Sequence, residues 1–166
     1  MLKQPVLYVV VPCYNEEEVL METTNKLKQK LNSLIEKKLI SKNSKVLYVN
    51  DGSSDNTWNL IKKINIKDKN FTGISLSKNM GHQNALLAGL MTAKKYADIV
   101  ISMDADLQDD INAIDSMINE YNNGNEIVYG VRKNRKNDTF FKRNSAKLFY
   151  KFMLFLGVDC IYNHAD

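Results

Sequence analysis

The chain has 166 residues, 44% of them apolar and 25% charged, with a net charge of +4. That is one domain's length with enough apolar content for a real core, the composition is ordinary for a soluble globular protein, and the mild charge does not by itself point to nucleic acid. No apolar run approaches the roughly 20 residues that span a bilayer, and the two cysteines, Cys13 and Cys160, have neither metal-like spacing nor a disulfide framework, as in a reducing compartment.

The first element is "VLYVVVP" (6–12), a continuous apolar run as expected of a strand buried on both faces. From Glu16 to about Lys38 the apolar residues Val19, Leu20, Leu27, Leu31, Leu34 and Ile35 recur at helical spacing. A second strand, 45–51, leads into "SSDNT", where Ser54 or Asp55 can cap a helix. A third strand follows at 71–77, then a helix at 81–96 rich in small residues suited to close packing. A fourth strand at 97–106, a helix near 110–122, a strand at 126–132 and a helix at 139–156 complete the pattern. Strand–helix repetition with short connections predicts an α/β fold, a mainly parallel sheet covered by helices. The chain stops at "YNHAD" without a natural ending, which suggests a single domain that is the N-terminal piece of a longer protein.

In such sheets ligands bind beyond the carboxyl ends of the strands. The polar clusters fall there: "PCYNEEE", "NDGSSDNT", "SKNMGHQN" and "DADLQDD" follow strands one to four. Four carboxylates at one strand end, Asp104, Asp106, Asp109 and Asp110, call for a positive partner or for water. Asp104 and Asp106, two apart on a strand, would share one face and offer hard oxygen ligands for Mg²⁺ or Mn²⁺. The alternative is a solvated acidic loop, which suits Asp109 and Asp110 well. Asp51, Gly52 and Ser53 form a tight turn that can meet a polar ligand or simply start a helix. Pro12, Tyr14, Asn15 and Glu16 end strand one, where dipole-favoured acids explain the glutamates but not Tyr14 or Asn15. Lys78 and Gly81 precede a helix N-terminus, where a diphosphate could bind. His82 reads as a structural or hydrogen-bonding residue, since no second ligand stands at helical spacing from it.

Residues 132–151 hold eight Lys/Arg against one Asp, so the remaining chain is net negative. This stretch interleaves cations with Phe140, Phe141, Phe149 and Tyr150. It can be an amphipathic helix packed on the sheet or one lying on an anionic membrane surface. Stacking of single-stranded bases on its aromatics is a weaker reading.

Taken in order, "VVPCYNEEE", "VNDGSSDNT", "SKNMGHQNALLAGL", "MDADLQDD" and "VYGVRKNRK" resemble family 2 glycosyltransferases of the GT-A fold. Within them the chain is similar to the polyprenyl-phosphate glycosyltransferases, the group of dolichyl-phosphate mannose synthase and bactoprenol glucosyltransferase. The resemblance implies that Pro12, Tyr14, Asn15 and Glu16 line the nucleotide pocket. Asp51 would read the base edge beside Gly52 and Ser53, and Lys78 and Gly81 would lie near the nucleotide-sugar. It further implies that Asp104 and Asp106, flanking Ala105, hold Mg²⁺ or Mn²⁺ on the donor diphosphate, with Gln108 beside them. Arg132 and Arg143 would meet the acceptor phosphate. "NHAD" matches the start of an acceptor-side motif cut at Asp166, which is the candidate base if the acceptor is a sugar hydroxyl.

The implied activity is inverting transfer of a sugar from a nucleotide-sugar to a polyprenyl phosphate such as undecaprenyl phosphate. UDP-glucose is the first donor choice, with UDP-N-acetylglucosamine, UDP-galactose and GDP-mannose open. The implied setting is the cytoplasmic face of the cell membrane, against the membrane surface and without nucleic acid, in a full-length form that can be a homo-oligomer. The rivals are a transferase extending a soluble or cell-wall glycan and a catalytically inactive nucleotide-binding fragment. A phosphatase with a nucleophilic aspartate is disfavoured, since Leu107 and Gln108 follow the Asp pair.

Overall fold

The computed structural model describes residues 4–106 and 110–130. The chain divides into two compact units, Met1–Asn122 and Asn123–Asp166. In the first unit the elements alternate: β1 (Leu7–Cys13), α1 (Leu20–Glu36), β2 (Lys45–Asn50), α2 (Thr57–Lys67), β3 (Phe71–Ser75), α3 (His82–Ala93), β4 (Ile99–Ser102) and α4 (Ala113–Asn122).

The four strands form one parallel sheet in the order β3-β2-β1-β4. The chain steps outward from β1 to β3, then returns to add β4 on the other side of β1. That reversal between β1 and β4 is where open α/β sheets leave a crevice at the carboxyl ends.

Alternation along β1 explains why its apolar run is continuous. Leu7, Val9, Val11 and Cys13 enter one core with α1, α2 and α4, while Tyr8 and Val10 enter a second core with α3. β2 does the same, Val46 and Tyr48 on one face and Leu47 and Val49 on the other. The small residues of α3 serve close approach: Ala85, Gly89 and Ala93 are buried one turn apart. A Cβ on Gly89 would stand 2.4 Å from Val10 Cγ1 and 2.8 Å from Val49 Cγ2. Pro12 lies inside β1. Val10, two residues earlier, accepts the Met103 N–H from beyond β4, and β1–β4 pairing ends at Val10 and Ser102, so the missing N–H of Pro12 deprives no strand of a bond.

Several boundaries differ from expectation. α1 begins at Leu20 rather than Glu16, because Asn15 adopts a left-handed backbone (φ 57°) and the Glu16 N–H is donated to Thr57 Oγ1 at 2.8 Å. β4 ends at Ser102, so Asp104 and Asp106 lie beyond the strand and do not share a strand face. The last β1–β4 bond runs from Met103 N–H to the Val10 carbonyl at 3.0 Å; past it the ladder has no partner.

In the second unit, residues 126–130 form no strand, contrary to expectation. Apolar content alone does not make a strand without a ladder to join, and Ile127 and Tyr129 are exposed. The expected helix at 139–156 lies outside the described residues, as do Gln108, Arg132, Arg143 and Asp166.

Candidate active site

Three loops at the carboxyl end of the sheet are tied together by side chains that bond main-chain groups. The first tie joins the loop after β1 to the loop after β2. Asn15 Oδ1 accepts the Ser54 N–H at 2.9 Å, the Ser54 hydroxyl at 3.3 Å and the Asp55 N–H at 3.4 Å. In return the Asn15 N–H donates to Ser53 Oγ at 3.0 Å. The Glu17 N–H donates to Asp55 Oδ2 at 3.1 Å, while Glu17 Oε2 accepts the Asn56 N–H at 2.9 Å. Asp55 Oδ1 also accepts the Thr57 N–H at 2.9 Å, although the capping position of α2 is Asn56, without a side-chain cap bond, rather than the expected Ser54 or Asp55.

The second tie joins the loop after β2 to the loop after β3. Asp51 is only 3% exposed. Its Oδ1 accepts the Met80 N–H at 2.7 Å and its Oδ2 accepts the Gly81 N–H at 3.0 Å. These are charge-assisted bonds to amides that open α3. Gly52, at φ 65°, completes the contact: a Cβ there would lie 2.4 Å from the Lys78 carbonyl carbon and 2.5 Å from the Asn79 nitrogen. Only glycine allows both the left-handed turn and that backbone approach.

Around this frame the expected site residues fall into two groups. Pro12, Glu16, Asp51, Gly52, Ser53, Lys78, Gly81, Asp104, Ala105 and Asp106 all follow or end strands on the same side of the sheet. Tyr14 is 47% exposed, and Lys78 and Gly81 are exposed as well, so these residues are open to a ligand. Arg132, Arg143, Asp166 and Gln108 form the second group, outside the described residues.

Electrostatics link the loops after β1 and β4. Burial pushes the Glu16 carboxyl up, and the negative charges of Asp106, Asp55 and Asp104 push it further. His82, the first residue of α3, brings its Nε2 to 3.9 Å from Asp104 Oδ1. That is ion-pair range rather than a hydrogen bond. The sequence offered no signal for this approach, because the two residues lie on different loops. Beneath the site, burial raises the Cys13 thiol strongly, with Glu16 and Asp55 adding to the effect. Cys13 is therefore an inert core residue rather than a nucleophile.

Among the described residues no group of three His, Cys, Asp or Glu side chains is arranged to hold a metal ion by itself. The donor set nevertheless fits a hard cation. Asp104 and Asp106 would supply carboxylate oxygens, each near enough to Glu16 for its charge to raise that carboxyl, and Mg²⁺ commonly takes one or two carboxylates plus substrate phosphates.

The sequence matches the family described as "Glycosyl transferase family 2" over residues 8–164. The chain belongs to glycosyl transferase family 2. It is 57% identical over 163 residues to the "Uncharacterized glycosyltransferase YkoT" of Bacillus subtilis (strain 168), covering 98% of this chain and 48% of that protein. It is 34% identical over 146 residues to the "Bactoprenol glucosyl transferase" of Shigella phage SfV, covering 86% of this chain and 44% of that protein. A third relative is the "Undecaprenyl-phosphate 4-deoxy-4-formamido-L-arabinose transferase" of Aeromonas hydrophila, 33% identical over 144 residues, 86% of this chain and 41% of that one. The family 2 sequence thus spans a little under half the length of these curated relatives. Among solved structures, Staphylococcus aureus TarS 1-349 in complex with UDP is similar at a TM-score of 0.54 and 22% identity, over 78% of this chain and 40% of that one. That likeness is one of fold, and the parallel sheet flanked by helices is the GT-A arrangement expected from the sequence. No helix among the described residues is long and apolar enough to cross a membrane.

Proposed function

We propose that this family 2 domain catalyses inverting transfer of a sugar from a nucleotide-sugar to a polyprenyl phosphate at the cytoplasmic membrane face. UDP-glucose is the first donor choice and undecaprenyl phosphate the first acceptor. The observation that carries the reading is the convergence of Asp51, Glu16, Asp104 and Asp106 at one end of the sheet, in a chain whose relatives include a bactoprenol glucosyl transferase and an undecaprenyl-phosphate transferase.

On this reading Tyr14 and Ser53 flank the nucleoside, and Asp51 bonds the base edge with the acceptor capacity left after Met80 and Gly81. Asp104 and Asp106 would hold Mg²⁺ or Mn²⁺ against the donor diphosphate. When bound, such a cation supplies neutralisation of the charge on the leaving nucleoside diphosphate. Lys78, exposed at the same end of the sheet, adds positive charge toward the diphosphate. An oxygen of the lipid phosphate forms its bond to the anomeric carbon as the bond from that carbon to the diphosphate oxygen breaks, with inversion. A phosphate is already ionised at neutral pH, so the attack needs no strong general base. Arg132 and Arg143 would hold it by charge-assisted hydrogen bonds. Asp166 would serve as base only if the acceptor were a sugar hydroxyl.

The test is thermal unfolding against UDP, GDP, ADP and NAD, each with Mn²⁺ or with chelator. A ligand at 100 times its Kd adds about 2.7 kcal/mol of stability. The expected result is a UDP shift that needs Mn²⁺ and is lost in Asp104→Ala. A GDP shift turns the donor toward mannose, and no shift with any nucleotide overturns the reading. Transfer from UDP-glucose to undecaprenyl phosphate in detergent, against a soluble glucan acceptor, then separates lipid-directed transfer from glycan extension.

A further inference from the structure

Thr23 sits on the buried face of α1 at a position where helical spacing calls for an apolar residue, and it is 1% exposed. A buried hydroxyl there needs a partner. Its Oγ1 lies 2.6 Å from the carbonyl oxygen of Ala105 and 3.1 Å from that of Val19. The hydroxyl has one proton, and the shorter contact takes it. The Val19 carbonyl already receives the Thr23 N–H at 3.0 Å, as an ordinary helical bond.

The Ala105 carbonyl is in the opposite position. It lies past the end of the β4 ladder, in a residue only 4% exposed, where none of the described strands offers a donor. It is also the carbonyl between the two carboxylates assigned to the donor-side cation. We infer that Thr23 is a positioning residue for the Asp104–Asp106 turn, holding the intervening peptide so that both carboxylates stay presented at the end of the sheet. The inference rests on the reading of Asp104 and Asp106 given above. Thr23 touches neither donor nor acceptor and acts only through the turn.

Thr23→Val keeps the shape and removes the hydroxyl; Thr23→Ser keeps the hydroxyl and removes the methyl. Thr23→Ala replaces the valine variant should valine not be accommodated. The first readout is the Ala105 carbonyl ¹³C resonance in the nucleotide-free protein, which reports the hydrogen bond directly. The second is the ratio of UDP affinities with Mn²⁺ and with chelator. Outer partners that orient metal ligands are worth about 10- to 100-fold in metal affinity, and a hydroxyl acting through a peptide falls near the lower end. Thr23→Val is expected to move the Ala105 resonance and to reduce the Mn²⁺ enhancement about tenfold, leaving UDP affinity in chelator unchanged. Thr23→Ser is expected to restore both. A folded Thr23→Val protein with the wild-type resonance or the wild-type enhancement overturns the inference, as does a serine variant that restores neither. Asp104→Ala separates the two levels: if it retains the full enhancement, the cation reading has failed, and the Ala105 resonance alone decides whether Thr23 holds the turn.

Discussion

The Asp51 carboxylate accepts the Gly81 N–H at 3.0 Å, so the residue after β2 holds the residue before α3. Its other oxygen holds the Met80 N–H at 2.7 Å. Asp51→Asn would turn an amide group toward one of those N–H donors. Hydrogen bonds to charged groups contribute roughly 1.5–3 kcal/mol, so a loss of about 2 kcal/mol is expected in urea unfolding. Faster hydrogen exchange at the Met80 and Gly81 amides, with Val49 unchanged, would locate the loss in the loop. A stability equal to wild type would remove the tie from the account.

The two positive-φ glycines near the site are expected to respond to alanine for different reasons. Gly81→Ala meets nothing within 4 Å but sits at φ 87° and ψ 152°, a region essentially confined to glycine, so backbone strain of about 1–3 kcal/mol is its whole cost. Gly52→Ala adds to the strain of φ 65° a contact at 2.4 Å with the Lys78 main chain, which cannot swing aside as a side chain would. That overpacking adds about 1–3 kcal/mol to the backbone strain. Denaturant titration of Gly52→Ala gives the total, and a loss below about 1 kcal/mol would contradict the close approach.

Glu16 gives the cation-free protein a pH dependence whose sign follows from its raised carboxyl. The folded chain binds that proton more tightly than the unfolded chain does. Its contribution is therefore fully present below the ordinary glutamate range and is lost as pH rises through the raised value. Glu16→Gln should be more stable than wild type near neutral pH in chelator, with the gain shrinking toward pH 4. Unfolding curves at both pH values test this; a gain that grows on acidification has the wrong sign.

The Asp115–Lys30 pair has the opposite sign. The Lys30 ammonium, 2.7 Å away, holds the Asp115 carboxyl below its usual range, first through the hydrogen bond and then, against a burial penalty, through charge. Lys30 also donates to Asn112 Oδ1 at 2.9 Å, so it ties α1 to the start of α4. The pair stabilises the fold above the ordinary aspartate range, and the effect fades as pH falls through the depressed value. Lys30→Met should cost about 1 kcal/mol at neutral pH, less in high salt, and little in acid. A cost independent of pH would mean that packing of the lysine stem dominates.

The alternation of strands and helices was legible because β1 and β2 are apolar on both faces and α1 carries a clean stripe. The strand-end position of the polar clusters followed from that alternation alone. The end of β4 was not legible, since "SMDAD" continues the chain smoothly while the ladder stops where β1 ceases to offer a partner. The strand expected at 126–132 was misread over 126–130 for the same reason: composition describes a residue's preference, not the presence of a neighbour. Asp51 was legible as a polar strand-end residue, but its engagement with Met80 and Gly81 depends on a loop 29 and 30 positions away. Thr23 carried the only local hint of its partner, a hydroxyl where the stripe called for leucine or valine.

Most of the ties among the three loops end on main-chain amides: Glu17 in the first loop, Ser54, Asp55 and Asn56 in the second, Met80 and Gly81 in the third. Every amino acid except proline carries such an amide. The side chains that give these bonds, Asn15, Glu17, Asp51 and Asp55, are thus constrained in identity, whereas Ser54, Asn56 and Met80 are constrained chiefly to be something other than proline. A scaffold held this way separates shape from surface. Residues on the rim can change while the tied loops stay where they are, and a proline scan of 54, 56 and 80 would trace those ties more sharply than an alanine scan.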